Sequence, residues 1–130
     1  IEVTRERIRL PSGLSLHYPD LKYEDGQFVY WDDKGKYWKK VFGGKLIENI
    51  IQALANCIIV EAILRVQPYL KQINGWFVLQ VHDELVFLVP ETNAAEHGKE
   101  LARLITTNPE WCPDLPIACG KPGIAKEYSK

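Results

Sequence analysis

Two apolar runs, Trp76-Phe77-Val78-Leu79-Gln80-Val81 and Leu85-Val86-Phe87-Leu88-Val89, are separated only by His82-Asp83-Glu84. Each run has strand length and is rich in β-branched and aromatic residues. Three polar residues are too few for a crossover. The pattern therefore predicts an antiparallel hairpin over residues 76–89, with buried flanks and a charged tip. A second hairpin is expected where Gln27 to Trp31 and Tyr37 to Phe42 flank Asp32-Asp33-Lys34-Gly35-Lys36. Its loop carries Gly, and its aromatics should pair across the strands. Leu14 to Tyr18 alternates apolar and polar and ends at Pro19, which predicts a strand after the Leu10-Pro11-Ser12-Gly13 turn. Residues 1–42 thus read as strands and turns.

The spacing then becomes helical. Leu46, Ile47, Ile50, Ile51, Leu54, Ala55, Ile58, Ile59, Ala62, Ile63 and Val66 predict a helix over residues 45–67, stopped by Pro68. That apolar arc is too broad for a surface helix and predicts packing on more than one side. A shorter helix is expected over 93–106, with Asn93 as its cap and Glu96 completing a capping box. In the tail, residues 111–130, Leu115 to Cys119 predicts a last edge strand. The elements do not alternate in βαβ fashion. The expected fold class is α+β: an antiparallel sheet containing the 76–89 hairpin, packed against a long helix and a second, shorter one.

Composition narrows the classes. With 130 residues, 46% hydrophobic and 25% charged, the chain amounts to one ordinary globular domain or part of a larger one. A net charge of −1 supplies no global basic field for nucleic acid, so any such binding needs a local patch. Cys57, Cys112 and Cys119 have neither disulfide-framework nor zinc spacing and read as reduced thiols. No signal-peptide pattern opens the chain, and no apolar stretch reads as long and uncharged enough for a bilayer. The expectation is a cytoplasmic protein with no membrane partner. The sequence opens at Ile1 and contains no Met, as expected of a piece of a longer chain.

Two constellations could carry chemistry. Lys45, Asn49, Gln52 and Asn56 fall on one helix face. They make either a solvated edge or a surface that reads hydrogen-bond acceptors in a DNA minor groove. His82-Asp83-Glu84 makes either a solvated turn or part of a cation site, since Mg²⁺ favours one or two carboxylates plus substrate phosphates. A two-metal site needs another carboxylate, and Asp20, Asp25, Asp32 and Asp33 all sit in expected turns. Lys34, Lys36, Lys39, Lys40 and Lys45 form a local cationic cluster, read as a solvated face or as a phosphate-tracking surface. Gly43-Gly44-Lys45 lacks the rest of a P-loop, and no serine-type triad is visible.

Gln80-Val81-His82-Asp83-Glu84-Leu85-Val86 closely resembles motif C of family A DNA polymerases, the DNA polymerase I class. The stretch from Gly43-Gly44-Lys45 to Ala55 resembles the palm helix that precedes motif C, particularly in phage-type members. Leu10-Pro11-Ser12-Gly13 and Trp111 to Ile117, with Gly120 to Lys130, resemble flanking segments of the same group. The resemblance implies that Asp83 is one of two metal-binding aspartates, with Glu84 a supporting carboxylate and His82 near the primer terminus. It implies that Gln52, with Asn49 and Lys45, contacts primer–template DNA. It further implies Mg²⁺ as cofactor, deoxynucleoside triphosphates as substrates, and an upstream part of the polymerase holding the second aspartate and the nucleotide-binding fingers. Phe42 stands where relatives often have Tyr, and Cys119 where they are commonly acidic. The isolated fragment is then expected to be inactive. Two rivals are a non-catalytic docking remnant of a polymerase and a metal nuclease using Asp83 and Glu84.

Overall fold

Antiparallel pairing accounts for every strand in the computed structural model, which describes residues 1–128. Ser129 and Lys130, the end of the expected 111–130 tail, lie outside the described residues. The fold is α+β, and the chain divides into two units, residues 1–57 and 58–130.

The first unit holds two three-stranded sheets. One joins β1 (Glu2–Val3), β2 (Arg7–Arg9) and β3 (Ser15–His17); the other joins β4 (Lys22–Glu24), β5 (Gln27–Asp32) and β6 (Tyr37–Val41). The β5–β6 hairpin forms as its pattern predicts, and Trp31 pairs with Trp38. Its loop is tied by Asp32, whose Oδ1 accepts from the Lys34 and Gly35 amides at 3.0 and 3.1 Å. The Gly35 amide is the chief reason that the Asp32 carboxyl sits below the usual carboxylate range, with Lys34 and the Lys39 ammonium adding to it. Ile8, Leu10 and Tyr18 are buried, and Leu46, Ile50 and Leu54 of the long helix pack against them.

That helix, α1 (Gly43–Gln72), runs further than expected. Pro68 does not stop it. Leu64, whose carbonyl the proline leaves without a donor, is exposed like Pro68 itself, so water can serve that carbonyl. The real stop is Asn74, at φ 56°. The Gly75 amide bonds the Leu70 carbonyl at 2.8 Å and the Asn74 amide bonds the Lys71 carbonyl, which is a Schellman ending. Gly75 is required by close approach: a Cβ there would stand 2.8 Å from the Leu88 carbonyl oxygen.

Burial around α1 is narrower than its apolar arc suggests. Ala62, Val66 and Leu70 are buried, whereas Ile47, Ile51, Val60 and Leu64 are exposed. The expectation that no stretch could span a bilayer is also corrected. Between Lys45 and Arg65 the only charges are Glu48 and Glu61. An 18-residue window of α1 has mean hydropathy 1.6, so α1 is long and apolar enough to cross a membrane by length and composition alone. A helix acting as a core spine meets the same criterion.

In the second unit, β7 (Trp76–Val81) and β8 (Glu84–Leu88) form the expected hairpin, with an irregularity at Val78. Phe77 and Phe87 face each other across it, ring centroids 5.8 Å apart, and pack with Val89 on Val66, Leu70 and Leu101. The flanks are not fully buried, because a two-stranded ribbon packs one face only. Trp76, Val78 and Leu88 on the ribbon are exposed. Helix α2 (Ala94–Ile105) supplies Leu101. Asn93 does not cap it with its side chain. It adopts φ 62°, and Glu96 pairs with Lys99 instead of closing a capping box. Arg65 of α1 donates from Nη1 to the Leu104 and Thr107 carbonyls at 3.1 and 3.0 Å, covering carbonyls at the end of α2. Residues 115–119 do not form the expected edge strand.

Leu70 is 1% exposed and Leu64 is 63% exposed. Leu70→Ala is expected to cost about 2–5 kcal/mol. Leu64→Ala should stay within about 0.5 kcal/mol. Urea unfolding followed by circular dichroism checks both.

Candidate functional site

The candidate residues occupy two places, each set by its own unit. In the second unit, Val81 and Glu84 form the last pair of the β7–β8 ladder, leaving His82 and Asp83 as a two-residue turn. His82 has φ 55°, in the left-handed region. A turn this short requires such backbone, and glycine or asparagine is its usual occupant. Gln80 braces the tip: its Nε2 donates to the His82 carbonyl at 2.8 Å. His82, Asp83 and Glu84 are all exposed. The tip is thus a solvated turn that presents two adjacent carboxylates, and its charges meet no desolvation cost.

No group of three or more His, Cys, Asp or Glu residues able to hold a metal ion occurs among the described residues. The oxygen donors of Asp83 and Glu84 suit a hard cation such as Mg²⁺ in kind, but they do not make up a complete site.

In the first unit, Lys45, Glu48, Asn49 and Gln52 share one stretch of α1. Glu48 sits in the middle, its Oε1 accepting from Lys45 Nζ and from Gln52 Nε2, each at 3.0 Å. Both contacts are exposed, so they hold the side chains loosely. Asn49 is different. Half-buried, it donates from Nδ2 to the Tyr18 hydroxyl at 2.9 Å. Tyr18 is 6% exposed and meets Tyr30 edge-on at 5.1 Å. Asn49 therefore satisfies a buried phenol, leaving Gln52, Lys45 and Asn56 as the open members of the polar stripe.

Two supporting residues escaped the sequence reading. Gln80 had a weak signal, a polar residue in an apolar strand two positions before the turn. Tyr18 had none that tied it to Asn49.

A comparison with curated proteins bears on what these residues do. The chain is 31% identical over 133 aligned residues to a DNA polymerase of Bacillus phage SP02, an alignment covering 95% of this chain and 19% of the phage protein. The chain resembles part of a phage DNA polymerase. It spans about a fifth of that relative's length. No family model matches the chain. No solved structure matches it either.

The His82 backbone stores strain of about 1–3 kcal/mol. His82→Gly is expected to raise the thermal midpoint by a few degrees, whereas Gln80→Ala should lower it. Differential scanning calorimetry of the two variants checks the pair.

Proposed function

We propose that these 130 residues are the C-terminal palm portion of a family A DNA polymerase. The observation that carries the reading is the tight β7–β8 turn, which holds Asp83 and Glu84 in water at the end of a braced apolar ribbon. The similarity to a phage DNA polymerase supports it, as does the polar stripe on α1.

In this reading the longer protein joins the 3′-hydroxyl of a primer to the α-phosphate of a deoxynucleoside triphosphate. Asp83 is the carboxylate this chain contributes to the metal site, and a second aspartate comes from the upstream part of the polymerase. Bound Mg²⁺ supplies neutralisation of charge on the attacking and leaving oxygens. Glu84 adds negative potential beside Asp83. His82, on the strained residue of the turn, lies toward the primer terminus. Gln52 offers its amide to acceptors in the minor groove of the primer–template, a contact that tests base-pair shape rather than sequence. Lys45 and Asn49 support that surface. The exposed face of the ribbon, with Trp76, Val78 and Leu88, is where further polymerase structure would pack.

In the longer protein, Asp83→Asn is expected to slow single-turnover nucleotide incorporation by about 10²-fold or more, the scale of losing one charge-stabilising group. Affinity for primer–template should hardly change. An unaltered rate would remove Asp83 from the metal site. The isolated 130-residue chain is expected to incorporate no nucleotide in a primer-extension assay with Mg²⁺.

A further inference from the structure

The β4–β5–β6 sheet presents a surface that the polymerase reading leaves without a role. On one of its faces the register aligns Lys22, Val29 and Lys40 in one row, and Trp31 with Trp38 in the next. Neighbouring strands lie about 4.8 Å apart, so the backbones of the two lysines, on either side of the central strand, stand roughly 10 Å from each other. Trp38 is 45% exposed although it is the bulkiest residue of β6. Trp31 holds it edge-on, with ring centroids 5.6 Å apart. The Lys22 ammonium lies 4.2 Å from the Trp38 ring centroid.

The charges around this tryptophan are unevenly used. Glu24 pairs with Lys22, and Asp32 is committed to its own loop and to Lys39. Among the described residues, no ion pair engages Lys34, Lys36 or Lys40, and all three are exposed. An exposed indole beside unneutralised ammonium groups suits a ligand with a flat π-face and regularly spaced negative charge. Single-stranded nucleic acid has both, whereas the bases of a duplex are already stacked on one another. An exposed cation–π contact is weak, so an incoming base can displace Lys22 from the ring. Lys22 keeps its Glu24 partner when it leaves the ring, and the unpaired Lys40 ammonium, two residues from Trp38 on the same strand face, is the one free to meet the phosphate of that nucleotide.

We propose that this sheet face binds single-stranded nucleic acid, with Trp38 as the stacking platform and Lys40 as the phosphate contact. The site does not depend on Asp83 or on primer extension, so it can stand or fall apart from the polymerase reading.

The test is fluorescence anisotropy of a labelled oligothymidylate titrated with the 130-residue chain at several salt concentrations. Saturable binding that weakens as salt rises is expected. Trp38→Ala should weaken it about tenfold or more, as loss of a stacking platform does. Trp38→Phe, which keeps a ring and the fold, should retain binding within a few-fold. Lys40→Glu should weaken binding and flatten its salt dependence. Lys99→Glu, on α2, should leave it unchanged. The proposal is overturned by absence of saturable binding, by wild-type affinity in either Trp38→Ala or Lys40→Glu, or by equal affinity for a duplex of the same length.

Discussion

The second unit depends on two adjacent rows along the last turns of α1. Ala62, Val66 and Leu70 recur every four residues and are buried. Beside them, at the same spacing, run Glu61, Arg65 and Tyr69. The first row gives the hairpin and α2 their apolar footing. The second fixes polar partners in place. Trp111 donates from Nε1 to Glu61 Oε1 at 2.6 Å, Arg65 covers the end of α2, and the Tyr69 hydroxyl shares a 2.8 Å hydrogen bond with His97 Nδ1. Burial and the nearby Glu100 carboxylate push the Tyr69 hydroxyl up from its ordinary pKa, so it stays protonated in that bond. Apolar contact alone resists translation poorly; the directional contacts set the register. The hairpin that carries Asp83 rests on the first row, through Phe77 and Phe87, and the second row fixes α2 and the segment after it.

In the first unit one polar contact reconciles two demands on α1. A helix face that meets solvent must also close a core that contains a phenol. Asn49 meets the second demand by donating to Tyr18, and Gln52, one turn on, remains exposed for the first. The stripe that looks uniform as a string of amides is thus divided by depth. Neighbouring residues of the same chemical type serve the fold and the surface separately.

Much of this was legible in the residues, for identifiable reasons. Both long hairpins declare themselves through period-two patterning and short polar loops, which act over a few residues. The charged tip was legible because Asp83 and Glu84 interrupt an apolar pattern. What failed depended on facing. Pro68 ends a helix only where its missing hydrogen bond cannot be replaced, and here it falls on the exposed side. Asn93 has the side chain of a cap but takes the left-handed backbone of a turn. The breadth of the apolar arc on α1 suggested burial all round, yet Ile47 and Leu64 are exposed, because within each unit the packing partners cover only part of the helix circumference. Leu115 to Cys119 has strand composition, yet forms no ladder among the described residues.

The junction of α1 with β7 has a consequence for how such chains can change in length. Only Ile73, Asn74 and Gly75 separate the last helical residue from the first strand residue. One of them is left-handed and another has no room for a Cβ. An insertion or deletion of one residue there would exchange the two faces of the ribbon, sending Phe77 outward and Trp76 inward. The same change in the Pro90–Asn93 stretch would meet no such lock, since its residues are largely exposed. Length variation should therefore be tolerated after the carboxylate-bearing hairpin and excluded before it.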